Sequence, residues 1–554
     1  MTEPRDRELT VRAVAWGLGL GVVLAAANVY AGLKIAFVDA GATTIILLSF
    51  AAFGGGARRF TAREANVAQV VGCSASTMAV TAGLIGPIPA LALSGRSISP
   101  LAIALWGSLL AVVGTLVALP FRATLIEVKR LEFPSARAAG ELVRNLFDQR
   151  GATPRGAWLL AGAAAAAIAV TIARDGLHAI AGGWMLPLAI AGVPAAALSI
   201  GATVSPLLIG AGLLAGPRAG LSMWLGAAVA WLAIAPRLPG AAAGYSAIVS
   251  WTLWPGAALM IASSLTGLVL DRRALAAALR MRSTVDGAGG ARVARATWLV
   301  AVAAIALIGV GWYGFAVHPA YAAVGIALSG VFAVAAMQAT GETDTTPAGA
   351  LGGVTQLVVG GLGAAQLAAP IYAGGTANGV AAHSATMLNA WKAGASVGAT
   401  PSRLVAAQLA GIAAGAVSAV VAYWLIRDAY GLGGTAMPVP GAASWKVTAE
   451  AVVGGTERIP PGAAPAAILA AAAGAALTIF RRHRWVPSPI AAGVGFILPM
   501  SVTSTFALAA IGFAVVERRA PAWLGRHRAE LAAGLIVGES IAGVAIAAIL
   551  VARG

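Results

Sequence analysis

Runs of about 20 residues without a single Asp, Glu, Lys or Arg recur along this 554-residue chain, and that is the length a helix needs to cross a bilayer core. Uncharged blocks lie near 13–33, 40–57, 65–95, 97–121, 156–173, 176–217, 219–236 and 238–270. The second half repeats the picture, with blocks near 296–317, 319–340, 351–370, 372–391, 404–426, 459–480 and 485–516, and a block near 531–552 whose single charge is Glu539. Hydrocarbon offers no partner for a backbone N–H or C=O, so segments of this kind must be helical. The pattern predicts an all-α, polytopic integral membrane protein of a cell inner or plasma membrane.

Charge placement supports that class. Only 10% of residues are charged, against about a quarter in a soluble domain, yet the net charge is +17. A basic face for nucleic acid would gather these charges. They fall instead in clusters between the blocks: Arg5, Arg7 and Arg12; Arg58, Arg59 and Arg63; Arg122, Lys129, Arg130, Arg137, Arg144, Arg150 and Arg155. Further clusters are Arg272, Arg273, Arg280, Arg282, Arg292 and Arg295; Arg481, Arg482 and Arg484; and Arg518, Arg519, Arg526 and Arg528. This is the pattern of cytoplasmic loops, and it argues against a nucleic-acid partner. Counting with this rule gives about 14 to 17 crossings. Block 176–217 fits only if Gly182-Gly183 and Pro187 mark a broken or re-entrant segment.

No cofactor is indicated. No HExxH or CxxC spacing suggests a resident metal, no Walker lysine motif suggests an ATPase, and the lone Cys73 lies in an apolar run. Ala25-Ala26-Ala27 resembles a signal cleavage site, but the apolar run continues to Ala31, so the first span reads as uncleaved. The 70 glycines, on an Ala-rich background, suit close helix packing without a hydrophobic drive.

Polar residues inside such blocks are costly, and so they are the informative ones. Asn28, Tyr30 and Lys34 fall within seven residues at the end of the first block, and Asn389-Ala-Trp391-Lys392-Ala-Gly394 ends a block in the other half. The pair hints at two related halves, 1–295 and 296–554, forming one membrane unit. Snorkelling of Lys34 and Lys392 to an interface is the competing reading.

Several segments together resemble the oligopeptide transporter family, which includes the yellow-stripe-like metal-chelate transporters. They are NVYAGLKIAF at 28–37, LPFRATLIEVKRLEFPSARAAGEL at 119–142, SPLLIGAGLLAGPRAGLSMWLG at 205–226 and ATGETDTTPAGALGGVTQL at 339–357. GTANGVAAHSATMLNAWKAG at 375–394, VPSPIAAGVGFILP at 486–499 and GLIVGES at 534–540 complete the set. The resemblance implies a proton-coupled symporter rather than an enzyme. It also implies small oligopeptides or amino-acid-derived metal chelates as cargo, and a homodimer. The chain departs from the family where many members carry Asp before the second lysine; here Asn389 stands in that motif. It is compact, as prokaryotic members tend to be.

Four acids lie in or beside apolar segments and are candidates for proton coupling: Glu539, Glu342, Asp344 and Glu64. Glu539 matches the glutamate of the family's Gly-Glu-Ser-like motif, with a helix-bonding carboxylate as the alternative. The sequence alone predicts that Glu539→Gln leaves folding intact and abolishes proton-dependent uptake. The 340–347 stretch reads either as an ion-meeting helix break or as a solvated loop capped by Thr345 or Thr346 before Pro347. Pro134 and Ser135 read as the start and cap of a helix, in a loop that the family likeness directs toward the site. Candidate substrate-binding residues are Asn28, Tyr30, Lys34, Gln356, Tyr372, Asn378, His383 and Lys392, any of which is otherwise an ordinary helix-to-helix bond. An intramembrane hydrolase needs a nucleophile beside a His base, and His178, His318 and His383 lie near no such motif. A passive channel is a third class.

Overall fold

The computed structural model describes residues 7–55, 59–147, 155–270, 272, 276, 290–454, 459–483 and 485–553. Arg5, Arg58, Arg150, Arg273, Arg280, Arg282 and Arg484, and the side chain of Arg292, lie outside the described residues. The chain is an all-α polytopic membrane protein. Among the described residues, ten helices are long and apolar enough to cross a bilayer. The expected 14 to 17 crossings also counted blocks that fold as shorter apolar helices, Ala42–Phe53, Ala348–Gly361 and Ala463–Ile479, and as the long but less apolar helices Ala62–Thr81 and Ala368–Ala395.

The chain forms two compact units. Unit 1 comprises Met1–Val29, Val38–Ala157 and Asp271–Tyr423; unit 2 comprises Tyr30–Phe37, Trp158–Leu270 and Trp424–Gly554. Each draws on both sides of residue 295.

Unit 1 is built around helix Ala368–Ala395, which packs against Pro319–Thr343, Ala348–Gly361, Pro100–Ala118 and Ala62–Thr81. Neighbouring helices bury it almost throughout, so its hydroxyls and His383 find protein partners rather than lipid, whereas Asn389 Oδ1 is buried without one. Helix Pro134–Phe147 is of another kind. Ala136, Ala139, Gly140, Val143 and Phe147 are buried at helical spacing, while Arg137, Ala138 and Arg144 are exposed. Its cap differs from the expectation. Ser135 sits inside the first turn, and the cap comes from a distant carboxylate: the Ser135 N–H donates to Asp344 Oδ1 at 3.0 Å and its hydroxyl to Oδ2. Nor do Thr345 and Thr346 cap helix Ala348–Gly361, whose first turn has no side-chain cap. Thr346 instead bonds the Thr340 hydroxyl at 2.8 Å.

In unit 2 the block 176–217 is interrupted as its glycines suggest, and the interruption is extended chain. Residues 177–205 carry two short antiparallel pairs, Gly183–Met185 with Gly201–Thr203 and Ala189–Ile190 with Val193–Pro194. The second pair closes through Ala191 and Gly192, both at positive φ, as a two-residue hairpin turn requires. Helix Pro206–Ala227 then begins, and it breaks midway at Gly216, where φ is 76° and ψ 175°. Pro217 follows and lacks the N–H that Leu213 C=O would otherwise accept from.

Candidate functional site

Helix Pro521–Arg553 is the spine of the candidate site in unit 2. Gly534 and Gly538 lie against Arg155–Thr171 so closely that a Cβ on either would stand 2.4 Å from the carbonyl oxygen of Leu160 or Ala164. Only glycine permits backbones to meet at that distance. The neighbouring helix continues as a widened π turn, Ile172–Gly176, which carries Arg174 and Asp175. Such turns are frequent at functional sites. Gly543 makes room for the Tyr30 ring, and the Tyr430 hydroxyl donates to Gly543 C=O at 3.0 Å. These contacts set four elements around Glu539.

Glu539 is fully buried, and both its oxygens are occupied. Oε1 accepts from Lys34 Nζ at 2.7 Å and from Arg174 Nη2 at 3.2 Å. Oε2 accepts from the Ser205 hydroxyl and from the Leu207 N–H, each at 2.8 Å. Ser205 is the N-cap of helix Pro206–Ala227, so the carboxylate sits at the positive end of that helix. Lys34 also donates to the Tyr30 hydroxyl at 3.1 Å. Arg174 donates to Asp175 at 2.6 and 2.5 Å and to Val204 C=O.

Two cations and two carboxylates thus balance. Removing an ion from water costs several kcal/mol even after relaxation, so no member tolerates the loss of its counter-charge. A proton reaching Oε1 or Oε2 must displace one of the four donors. The side chains of Asp175, at 31% exposure, and Lys34, at 15%, form the accessible edge.

The other predicted residues lie in unit 1. Asn28 brackets the turn after the first helix, donating to Asp39 C=O at 2.7 Å and Ser76 C=O at 3.2 Å and accepting from the Asp39 N–H. Glu64 accepts from Thr10 at 2.8 Å, from Arg12 at 2.9 and 2.7 Å and from the Thr61 N–H at 3.0 Å; Thr61 in turn accepts from the Glu64 N–H. This reciprocal cap starts helix Ala62–Thr81. Thr61→Ala is therefore expected to destabilise the protein by about 1 kcal/mol, read from thermal unfolding in detergent.

His383 is fully buried between hydroxyls, with Nε2 3.3 Å from Ser74 and Nδ1 3.1 Å from Thr81. The Ser74 hydroxyl donates to Gln408 C=O at 2.7 Å, so its oxygen is free to accept from Nε2–H. Thr81 then serves Nδ1, an arrangement suited to a neutral imidazole. Tyr372 donates to Leu307 C=O at 2.6 Å within a cluster formed with Trp106 and Phe315. Asn378 reaches Val80 C=O at 3.5 Å, and Gln356 is buried. Lys392 donates to Leu131 C=O at 2.5 Å, and the exposed Glu342 accepts from Gln338, itself an acceptor for Lys129. No group of three or more His, Cys, Asp or Glu suited to a metal occurs among the described residues.

A family model described as OPT oligopeptide transporter protein matches residues 8–550. The chain belongs to the oligopeptide transporter family. A search of the curated proteins returns no match. Family membership makes it a transporter of oligopeptides or related cargo and not an enzyme, with a binding site for that cargo and a membrane as its environment.

Of the predicted residues, this transporter brings Tyr30, Lys34 and Glu539 together in unit 2. Arg174, Asp175, Ser205 and Tyr430 join them unforeseen. One signal for Arg174 was present. It ends an apolar block as half of an Arg-Asp pair, and treating charges as block boundaries hides a charge that the helix carries inward.

Proposed function

We propose that this transporter is a proton-coupled importer of small oligopeptides, with Glu539 as the proton carrier and Lys34 and Arg174 as receptors for the cargo's carboxylate. The observation that supports this reading is the complete occupancy of Glu539 by donors, two of them cationic. A proton on Oε1 neutralises the acid and frees a cation. A carboxylate arriving with the proton takes that cation, so the buried charge stays balanced. Either event alone leaves an unpaired charge in a low-dielectric site, and that cost makes the two events concerted. Asp175, at the accessible edge, is of the right sign for a peptide's amino terminus.

Coupling is assigned to Glu539 ahead of Glu64, which is engaged in a helix cap, and ahead of Glu342 and Asp344, which are exposed. In unit 1, Asn28, Tyr372, Asn378 and Lys392 bond backbone carbonyls and Gln356 and His383 are buried, so the cargo's carboxylate is assigned to Lys34 and Arg174 ahead of them. The family resemblance supports a homodimer in the cell inner or plasma membrane.

Proteoliposome uptake with an imposed pH gradient tests the reading. Labelled di- and tripeptides are expected to accumulate only while the gradient lasts, and C-terminally amidated peptides are expected to be rejected. Equal uptake of amidated peptides, or accumulation without a gradient, would overturn it. Accumulation of a metal complex of an amino-acid-derived chelator, with no peptide uptake, would move the cargo to the metal-chelate class.

A further inference from the structure

The break at Gly216-Pro217 leaves a half-helix, residues 206–215, and helix Pro521–Arg553 holds it at both ends. At its N-terminus, Glu539 accepts from Ser205 and the Leu207 N–H. Midway, Gly210 lies so close that a Cβ would stand 2.7 Å from Ala532 C=O. At its C-terminus, Arg528 Nε donates to Leu213 C=O at 2.8 Å and Nη2 to Leu214 C=O at 3.1 Å. Pro217 deprives the Leu213 carbonyl of its helical donor, and the turn at Gly216 does the same for Leu214. Among the described residues no carboxylate forms an ion pair with Arg528, so its charge is set against the negative end of the half-helix. The carboxylate at one end and the guanidinium at the other both complement the dipole of the same ten residues.

We propose that Arg528 is a positioning residue for Glu539: by capping the far end of half-helix 206–215, it fixes the height at which Ser205 and the Leu207 N–H meet the carboxylate. The half-helix and the spine helix then move as one body, with the flexible joint at Gly216. This rests on the role of Glu539 proposed above, but its geometric half stands independently of that role.

The test has two readouts. Leu207→Cys, in a Cys73→Ser background, places a buried thiol in the first turn of the half-helix, and Arg528→Gln is expected to speed its labelling by a small maleimide about tenfold or more, the factor set by losing a charge-assisted hydrogen bond. In the native background, Arg528→Gln and Ser205→Ala are expected to displace the pH profile of uptake in the same direction. Their effects should combine less than additively, because both act through the same donors. Arg528→Lys, which keeps the charge and loses the fork, should fall between wild type and glutamine in both readouts, and it carries the test if the glutamine variant fails to fold. Unchanged labelling overturns the proposal. So does faster labelling with an unaltered pH profile and additive effects, which would mark Arg528 as merely structural. Wild-type coupled uptake by Glu539→Gln is a different result: it would remove the proton reading while the labelling outcome still decides whether Arg528 sets the half-helix.

Discussion

Glu539→Gln is expected to abolish gradient-driven uptake and to lower the unfolding free energy by about 3–5 kcal/mol, the cost of breaking a buried ion pair from one side. The sequence alone predicts a silent effect on folding, and the structure supplies the reason to expect otherwise. Glutamine presents one acceptor oxygen and an amide that donates, whereas four donors converge on this site, two of them cationic. Arg174 would then keep Asp175 as counter-charge, while Lys34 would lose the carboxylate it pairs with. Adding Lys34→Met removes the stranded cation. The double variant is expected to regain part of the lost stability, seen as a partial recovery of the unfolding temperature in detergent, without regaining uptake. Transport by the double variant at the wild-type rate would exclude the whole cluster from the mechanism.

Glu539 was legible because it stands alone in an apolar run, where a carboxylate needs a reason to exist. Its partners were not. Lys34 lies at the other end of the chain, and nothing local in either segment announces the pairing. Ser205 and the Leu207 N–H act through the start of a helix, a position that depends on where the preceding extended chain ends. The same limit applies to Asp344, whose carboxylate caps a helix that begins some two hundred residues earlier. The apolar blocks foretold the fold class, and the glycines of block 176–217 foretold its interruption. Hydropathy has no vocabulary for the hairpin that fills the gap, or for the second break at Gly216-Pro217, because neither changes charge.

Gly538→Ala is expected to lower stability by about 2–3 kcal/mol and to cut uptake at least about tenfold, although it adds a single methyl group to a helix. That methyl would stand 2.4 Å from Ala164 C=O, 2.8 Å from Ala167 Cβ and 2.9 Å from Ala164 Cα. Two of these three are backbone atoms, which no rotamer change can move aside. Relief requires the two helices to separate by about an ångström, and the effect extends past Gly538 because Glu539 is the next residue and Arg174 is borne by the helix pushed away. Gly330→Ala supplies the control. A Cβ there meets nothing within 4 Å, so the usual preference of a helix for alanine is expected to leave stability unchanged or raise it by up to about 1 kcal/mol, with uptake intact. Thermal unfolding and proteoliposome uptake of the two variants side by side separate the close approach from any general effect of losing a glycine. Equal behaviour of the pair would mean that the contact between the spine helix and its neighbour does not set the distance between Arg174 and Glu539.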